Sequence, residues 1–522
     1  MGSLEERDLA RLSPQQRAAL EALLWKNHGT PPPTGTPGEG IPPRSRVGDP
    51  APLSYAQRRL WFIDQFEPGS SLYNMPTVLR VKGPLRSEVL TRTLSEIVRR
   101  HEVLRTVFAA PEGSPVQVIQ PATPFLLPLV DLSGLPASPR EAEILLLAAE
   151  EAKRPFDLAR GPLFRGVLLQ LASEEHVAAL TMHHVVSDSW SMGVLVREVT
   201  ALYPAFLEAK PSPLPEFPIQ YADFAVWQRG WLRQEVLEGL VAYWHQRLAG
   251  APSQLDLPGA RPRPAVLSQR GRARHRRFSH PLLAQLRALG RRESATLFMT
   301  LLAPLLALLH SRTGATDLVV GTDVAGRDRR ELEGLIGFFI NQLPLRTNLT
   351  GDPTLRELLG RVRETAMEAY AHQDLPFDLL IEALRVEQNL RRSTVFQVKL
   401  ALQNTPREDL DLPGFSFNLM PLNTETAQLD LHWSFIEGEE ELWLRLTYST
   451  DLYDEPLIDS MLDQYEIWLH AFAERPEAKL SEVVDEIAQA EQDRLTERGA
   501  ELKSKNLGKL RSRRQHVEPL EI

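Results

Sequence analysis

The sequence feature that most constrains this chain is the stretch Thr181–Ser191, which reads TMHHVVSDSWS. It ends the short apolar segment HVAALTMHH, whose length and composition favour a buried strand. It then leads into an amphipathic helix, for which Ser189 or Ser191 is a plausible cap. Neighbouring side chains on a strand point to opposite faces. His183 and His184 therefore cannot both face one cavity: one can do chemistry, and the other must be accommodated in the fold.

Length and composition limit the classes of protein that this chain can form. Its 522 residues, 43% of them hydrophobic, are ample for a packed core and too many for one ordinary domain, so two lobes are expected. A net charge of −9 argues against nucleic acid or an anionic membrane as the main partner. The absence of cysteine excludes disulfides, thiolate zinc sites and a cysteine nucleophile.

The sequence also lacks the patterns of a targeting or membrane segment. Its first residues, MGSLEERDLARL, contain neither the basic nor the apolar region of a secretory signal peptide. No apolar run approaches the roughly 20 residues that a membrane-spanning helix requires. We therefore expect a soluble, cytoplasmic protein that binds neither nucleic acid nor membrane.

The two ends of the chain differ in composition from its middle. Residues 1–29 are predicted to contain an N-terminal helix with Ser13 as its N-cap and Gly29 at its end. This helix either packs on its own domain or is a docking element for a partner protein, and the sequence leaves both interpretations open. Residues 30–52 contain eight prolines and are predicted to form a Pro/Gly-rich linker. Residues 488–522 are predicted to be a polar tail.

Between these ends, helical and strand patterns alternate, which is typical of an α/β (α+β) fold. Residues 53–230 are predicted to form an N-lobe that carries the histidine motif. Residues 231–270 are predicted to be an aromatic-rich helical crossover followed by a lobe linker rich in proline and arginine. Residues 271–487 are predicted to form a C-lobe.

Several segments, taken together, resemble a known family. In chain order they read LSYAQRRLWFIDQ, RHEVLRTVF, MHHVVSDSWS, YADFAVWQR, IGFFINQLPLR, HQDLPFDLLIE and TVFQVKLALQN. They resemble the core motifs of the condensation domains of nonribosomal peptide synthetases, which belong to the chloramphenicol-acetyltransferase-like superfamily. The third segment resembles the family signature HHxxxDG. The resemblance covers roughly residues 50 to 485.

This resemblance implies a fold and a set of partners. The fold is two chloramphenicol-acetyltransferase-like lobes in a V-shaped pseudo-dimer with a tunnel between them, although no repeat between the lobes is visible in the sequence. The chain is expected to be a monomer that binds no cofactor of its own. Donor and acceptor carrier proteins would present their substrates on 4′-phosphopantetheine arms, one from each end of the tunnel.

The resemblance also assigns roles to residues of the motif. The reaction is attack of an amine on a thioester carbonyl. His184 would face the tunnel, either as a base or only as a group that orients the amine. An α-amine has a pKa of about 7.7 to 8.0, so a strong base is not needed for its first deprotonation. His183 would lie on the opposite strand face as structural support.

Asp188 is expected to be structural. The resemblance implies that it forms a buried ion pair with an arginine of the other lobe, and Arg327 is the candidate partner. The alternative is that Asp188 is a simple helix cap.

Ser189 departs from the family pattern, which has glycine at this position. Glycine there would permit a positive φ, and its N–H would help to hold the oxyanion. Serine keeps the N–H and adds bulk.

A metal site is not expected, because adjacent histidines on opposite strand faces make poor joint ligands and no HExxH motif is present.

The predicted function is amide-bond formation between a carrier-bound acyl or peptidyl thioester and an amine acceptor. One alternative is a free-standing enzyme that forms an ester or amide with a soluble acceptor. Another is a non-catalytic platform that recruits partner proteins, an alternative kept open by Ser189. The fifth motif argues against an epimerisation domain, and the intact histidines argue against a cyclisation domain. The sequence contains neither an SGTTGxPKG adenylation motif nor an LGGxS carrier motif.

Overall fold

The computed structural model describes most of the chain between residues 40 and 492. The described ranges are 40–44, 49–252, 254–264, 266–384, 395–403, 412–422, 425–438, 440–490 and residue 492. The predicted N-terminal helix and nearly all of the predicted tail lie outside these ranges.

The N-terminal half of the described chain contains seven strands and four long helices up to Leu207. The strands are β1 (Ala51–Pro52), β2 (Asn74–Lys82), β3 (Thr106–Ala109), β4 (Val116–Ile119), β5 (Leu129–Asp131), β6 (Phe164–Ala172) and β7 (Glu175–His183). The helices are α1 (Tyr55–Phe66), α2 (Ser87–Arg100), α3 (Ala137–Lys153) and α4 (Ser189–Leu207), and 3₁₀ turns lie at Glu102–Arg105, Pro111–Gly113 and His184–Val186.

The rest of the described chain begins with two crossover helices and then forms the second lobe. The helices are α5 (Tyr221–Trp231), α6 (Gln234–Leu248), α7 (His280–Arg292), α8 (Leu297–Thr313), α9 (Arg330–Glu333), α10 (Leu355–Ala371), α11 (Phe377–Ala383) and α12 (Glu455–Glu474). The strands are β8 (Gly271–Phe278), β9 (Asp317–Val324), β10 (Asn341–Asn348), β11 (Val398–Gln403), β12 (Ser416–Leu419), β13 (Leu431–Glu437) and β14 (Leu442–Ser449).

Each lobe is built around one large sheet. The N-lobe sheet has the strand order β12-β2-β7-β6-β5, and the C-lobe sheet has the order β10-β9-β11-β13-β14-β8. A small sheet, β1-β4-β3, lies beside the N-lobe. Helix α8 is buried along nearly its whole length in the C-lobe core, which explains why its sequence is apolar on every side.

The two large sheets contain the same four-strand unit. Along β2-β7-β6-β5 the pairings are antiparallel, antiparallel and parallel. Along β8-β14-β13-β11 they follow the same sequence of directions. The two lobes therefore share a repeat in their topology that is not visible in the sequence. A shared topology fixes the order and direction of the strands, but it allows the side chains of the two lobes to differ.

The lobes also exchange chain segments. Strand β12, from the second half of the chain, pairs with β2 of the N-lobe sheet. Residues Leu332, Leu335 and Ile336 are likewise buried in the N-lobe core. These exchanges depend on tertiary pairing, and so they were not part of the predicted division at residues 53–230, 231–270 and 271–487. The boundaries of that division stay predictions.

The described part of the predicted linker packs on the body of the protein. Ile41 is buried in the N-lobe core, and Arg44 lies 3.1 Å from the carboxylate of Asp223. Strand β1 pairs with β4. Residues 40–44 and 51–52 therefore pack on the protein, and the assignment of residues 30–52 to a linker stays a prediction. A few apolar and charged side chains are enough to hold an extended segment that passes beside a preformed surface.

One pair of helices resembles a membrane span by length and composition. Among the described residues, no single helix is long and apolar enough to cross a membrane. Helices α7 and α8 pass that test only together, with a bend of 103° between them, and α8 lies in the protein core.

Candidate active site

The site begins where β7 ends and α4 starts. Strand β7 stops at His183, a 3₁₀ turn covers His184–Val186, and Asp188 is the N-cap of α4. The Asp188 carboxylate accepts the backbone N–H of Ser191 at 2.8 Å, and the Ser191 hydroxyl accepts the backbone N–H of Asp188 at 3.3 Å. This reciprocal capping box fixes the start of the helix. The helix cap is therefore Asp188 rather than Ser189 or Ser191.

His183 is buried among aromatic side chains. Its ring lies edge-on to Phe156 at a centroid distance of 5.8 Å, and its Nδ1 accepts the backbone N–H of Val185 at 3.1 Å. Burial, together with the neighbouring His184 and Arg165, lowers the pKa of His183 to about 3. His183 is thus neutral at physiological pH, with its proton on Nε2.

His184 lines a cavity and has a defined orientation. Its backbone N–H donates to the Tyr73 carbonyl at 2.8 Å, and its ring packs on Phe338 at a centroid distance of 4.6 Å. The ring Nδ1 lies 2.7 Å from the Ser187 carbonyl oxygen. Since a carbonyl only accepts, Nδ1 carries the proton of the neutral ring, and Nε2 keeps its lone pair. Burial lowers the pKa of His184, so the neutral ring predominates at pH 7.

Asp188 and Arg327 lie in contact across the lobes. The guanidinium Nη2 of Arg327 is 3.1 Å from Asp188 Oδ1, and both side chains are almost completely buried. The other guanidinium nitrogen, Nη1, donates to the carbonyls of Leu332 and Leu335 at 2.5 and 2.6 Å. Asp188 also accepts the backbone N–H of Phe339 at 3.1 Å. Asp188 is therefore a helix cap and an ion-pair partner at once, although the sequence had presented these as alternatives.

Further hydrogen bonds hold the segment around Phe338 against the N-lobe. The Ser191 hydroxyl lies 3.0 Å from both the backbone N–H and the carbonyl of Gly337. The Tyr221 hydroxyl lies 2.6 Å from the Phe338 carbonyl and 2.8 Å from the Ser54 hydroxyl. These contacts place Phe338 next to His184. Tyr221 is itself buried and is only 1% exposed.

The cavity beside His184 has a volume of about 340 Å³ and is lined by both lobes. N-lobe side chains include Arg59, Tyr73, His184 and Trp190. C-lobe residues include Asp323, Phe338, Gln342, Asp374, Asp378 and Lys399. His183 and Ser189 are not among the described residues that line it.

Ser189 is the first residue of α4. Ser189 is not among the described non-glycine residues that have a positive φ. Its backbone therefore does not need the conformational freedom of glycine. The departure from the family pattern therefore introduces no backbone strain, and the added hydroxymethyl group lies outside the cavity lining.

Polar residues that the sequence did not single out form a network in the cavity wall. Arg59 donates to Gln342 at 3.1 Å, Gln342 donates to Asp323 at 3.2 Å, and Asp323 lies 2.8 Å from the Lys399 ammonium group. Arg59 also lies 3.6 Å from Asp378. One signal could have revealed part of this network: Lys399 is a charged residue inside the apolar strand segment VFQVKLALQ.

The HQDLPFD segment belongs to the sixth of the family-like motifs, and its residues divide between two roles. His372 stacks on Tyr243 at a centroid distance of 3.5 Å, away from the cavity residues. Asp374 and Asp378 line the cavity. Burial raises the pKa of each to about 6, with the charge of Asp328 contributing at Asp374. Both carboxylates therefore give the cavity wall negative charge at pH 7.

The fold and the site together define a two-lobed α/β protein with a neutral histidine in a cavity between its lobes. The Condensation domain family model matches residues 47–496. The chain therefore belongs to the condensation-domain family of nonribosomal peptide synthetases, whose members are amide-bond-forming acyltransferases. The predicted family and the predicted two-lobed fold are confirmed.

Two curated relatives illustrate this membership. A linear gramicidin synthase of Brevibacillus parabrevis is 46% identical over 427 residues, which are 81% of this chain and 6% of that protein. Phosphinothricin tripeptide synthetase PhsC of Streptomyces viridochromogenes is 41% identical over 477 residues, 90% of this chain and 43% of that protein. The chain thus spans less than half the length of these relatives.

Solved structures show the same fold. The X-domain from teicoplanin biosynthesis superposes with a TM-score of 0.77 and 29% identity, covering 85% of this chain and 99% of that one. The SgcC5 protein from Streptomyces globisporus superposes with a TM-score of 0.69 and 28% identity, covering 82% of this chain and all of that one.

Proposed function

We propose that this chain joins an acyl or peptidyl group, carried as a thioester, to an acceptor amine. The amine nitrogen attacks the thioester carbonyl, the new C–N bond forms, and the C–S bond breaks to release the carrier thiol. The attacking nitrogen must lose a proton as this happens. His184 Nε2 takes that proton, or accepts a hydrogen bond from the amine and so orients it.

The orientation of His184 is the observation that carries this proposal. The Nδ1–Ser187 carbonyl contact fixes the tautomer in which Nε2 has a lone pair, and burial keeps the ring neutral. A residue retained only for packing would not need a basic nitrogen in a cavity that both lobes line. A positioned base is typically worth about 10² to 10⁴ in rate.

The other residues of the motif support His184 without touching the reacting atoms. His183 packs beneath the turn as a neutral ring. The Asp188–Arg327 pair holds the start of α4 against the C-lobe segment that carries Phe338. Ser189 is the first residue of α4, and its side chain is not among the described residues that line the cavity.

The partners follow from the chemistry of the thioester. We propose that carrier proteins bring the donor, and in an assembly-line context the acceptor, on 4′-phosphopantetheine arms. The chain itself supplies no cofactor for the reaction. We also propose that it acts as a monomer in the cytoplasm, where neither nucleic acid nor membrane is its partner.

A soluble acceptor is a second candidate for the amine or alcohol. SgcC5, which is 28% identical and is covered over its full length, was solved in complex with (R)-(-)-1-(2-naphthyl)-1,2-ethanediol and sucrose. That ligand of the neighbour is a small diol. An ester-forming reaction with a free alcohol therefore stands beside amide formation as an alternative for this chain.

A recruitment platform is the alternative from a different functional class. The X-domain from teicoplanin biosynthesis, at 29% identity, was also solved in a complex with OxyB. What favours catalysis in this chain is the intact and correctly oriented His184. A platform that only binds partners would not require it.

Product detection by mass spectrometry tests the proposal. An acyl-loaded carrier protein is supplied as donor, with an aminoacyl carrier, a free amine and a free diol offered together. Wild type should transfer the acyl group to one of them, and His184→Ala should not. If nothing moves while both carriers still bind, the platform interpretation replaces this one.

A further inference from the structure

The C-lobe sheet has one polar face that the proposed chemistry does not use. On β14, Leu442, Leu444, Leu446 and Tyr448 are buried in the helix-covered core. The alternate residue Arg445 therefore points to the opposite face. The register pairs Arg445 with Ser434 of β13 and with His275 of β8. His432 lies two residues before Ser434 and so shares this face, which we call the open face.

Lys399 belongs both to the open face and to the reaction cavity. Lys399 pairs in register with His432, so the two side chains leave neighbouring strands on the same side. Lys399 also lines the cavity that contains His184. The register places Lys399 opposite His432 and then Thr447, so Arg445 lies two strand spacings and two residues away, roughly 12 Å across the sheet. Arg445 therefore lies near the cavity, on the sheet face that Lys399 shares.

Arg445 lacks the partner that the other arginines around it have. Arg276 of the same sheet lies 2.6 Å from Asp463, and Arg277, on the open face, lies 3.2 Å from Glu441. Within the described part of the chain, no carboxylate pairs with Arg445, and its Nε is buried without a hydrogen-bond partner. A half-buried guanidinium without an anion is costly, because it has lost water and gained nothing in return.

A second polar group on the same face also lacks a partner. His432 Nε2 is also buried without a hydrogen-bond partner. Burial, with the charges of Lys399 and Arg445, lowers the pKa of His432 to about 3, and Asp323 only partly opposes this. Asp323 is already engaged with Lys399 at 2.8 Å. Of the three cations named on this face, Lys399 is paired with Asp323 and Arg277 with Glu441, while Arg445 has no carboxylate partner among the described residues.

We propose that the open face at Lys399, His432 and Arg445 binds an anionic group, a carboxylate or a phosphate, of the substrate that occupies the cavity. Arg445 makes the direct ion pair. Lys399 lines the cavity that contains His184, and His432 lies on the strand between those of Lys399 and Arg445. The inference rests on the proposed function only for the identity of the molecule that carries the anion.

Calorimetric titration of the whole chain at low ionic strength tests anion binding without turnover. The probes are inorganic phosphate and acetate. Arg445→Gln should weaken binding of the favoured anion by about 10-fold or more, since a charge-assisted hydrogen bond is lost. Arg445→Lys should retain most of the affinity. Arg277→Gln, which removes a paired cation from the same face, should leave it unchanged. Absence of saturable binding, or equal binding by wild type and Arg445→Gln, overturns the proposal.

Steady-state kinetics then identifies the source of the anion. Donors on phosphopantetheine are compared with donors on pantetheine, and substrates with a side-chain carboxylate are compared with their primary amides. A rise in KM for Arg445→Gln only with the phosphorylated arm assigns a phosphate; a rise only with the acidic side chain assigns a carboxylate. An unchanged KM in every comparison overturns the link to the substrate. His184→Ala should lose turnover but still bind the anion, which separates this inference from the proposed function.

Discussion

The turn after β7 and the turn after β14 occupy equivalent places in the two lobes. In each lobe the strand ends five residues before an aspartate that caps the next helix: His183 precedes Asp188, and Ser449 precedes Asp454. The first turn residue also makes the same backbone contact. His184 N–H donates to the Tyr73 carbonyl, as Thr450 N–H donates to the Arg270 carbonyl. Local backbone geometry is thus shared.

The side chains of the two turns differ in burial and in partners. Asp454 is exposed and accepts the backbone N–H of Leu457, so it does only what a helix cap does. Asp188 does the same for Ser191, but it is fully buried and pairs with Arg327. The position of His184 is taken by Thr450. A capping aspartate is thus common to both turns, whereas the histidine and the arginine belong to one site.

The largest expected difference between the turns is catalytic. His184→Ala should lower the rate of acyl transfer by about 10² to 10⁴, because a positioned base or amine-orienting group is removed. Thr450→Ala, at the equivalent place, should leave the rate unchanged. The measurement is product formation by mass spectrometry under single-turnover conditions. Similar losses in both variants would mean that the turns matter only for folding.

The next difference is in stability. Asp188→Ala should cost about 3 to 5 kcal/mol, since it leaves the buried guanidinium of Arg327 uncompensated. Asp454→Ala should cost only about 1 kcal/mol, the usual value of a lost N-cap. Urea denaturation followed by circular dichroism measures both. Equal costs would show that the ion pair adds nothing beyond the cap.

The pH profile sharpens the assignment of His184. Burial lowers its pKa below the ordinary 6.5, so the neutral, active ring persists to more acidic pH. With an acceptor amine that is itself neutral throughout the range, kcat/KM should stay flat near pH 7 and fall only below pH 6.5. An ordinary α-amine would add a second decrease in kcat/KM below about pH 8, because the amine itself becomes protonated there. An acid limb at or above 6.5 with the neutral acceptor contradicts the proposed role.

The smallest expected effect concerns the residue that follows the cap. Ser189→Gly should change the free energy of unfolding by no more than about 1 kcal/mol, because Ser189 has helical backbone geometry and glycine offers it no relief. Its backbone N–H is retained, so the rate should change only a few-fold. Thermal denaturation and initial rates check both. A large gain in rate would show that the serine side chain obstructs the reaction.

Local patterns in the sequence located the site but not its full set of residues. The strand, the turn and the amphipathic helix around His184 follow from short-range hydrophobicity and capping residues, which sequence displays directly. The pairing of Arg327 with Asp188 came from family resemblance, since nothing within either segment indicates the other. The cavity network of Arg59, Gln342 and Asp323 was missed, because its members come from one N-lobe helix and two C-lobe strands.

Sequence by itself determined the family, the alternation of helices and strands, and the motif that holds both histidines. Tertiary structure alone decided that β12 joins the N-lobe sheet, that Asp188 is both a cap and an ion-pair partner, and that the Nε of Arg445 is buried without a hydrogen-bond partner. The physical reason is the range of the interactions. Periodicity and capping act over a few residues, whereas burial, charge pairing and hydrogen bonding depend on neighbours that are far away in the chain.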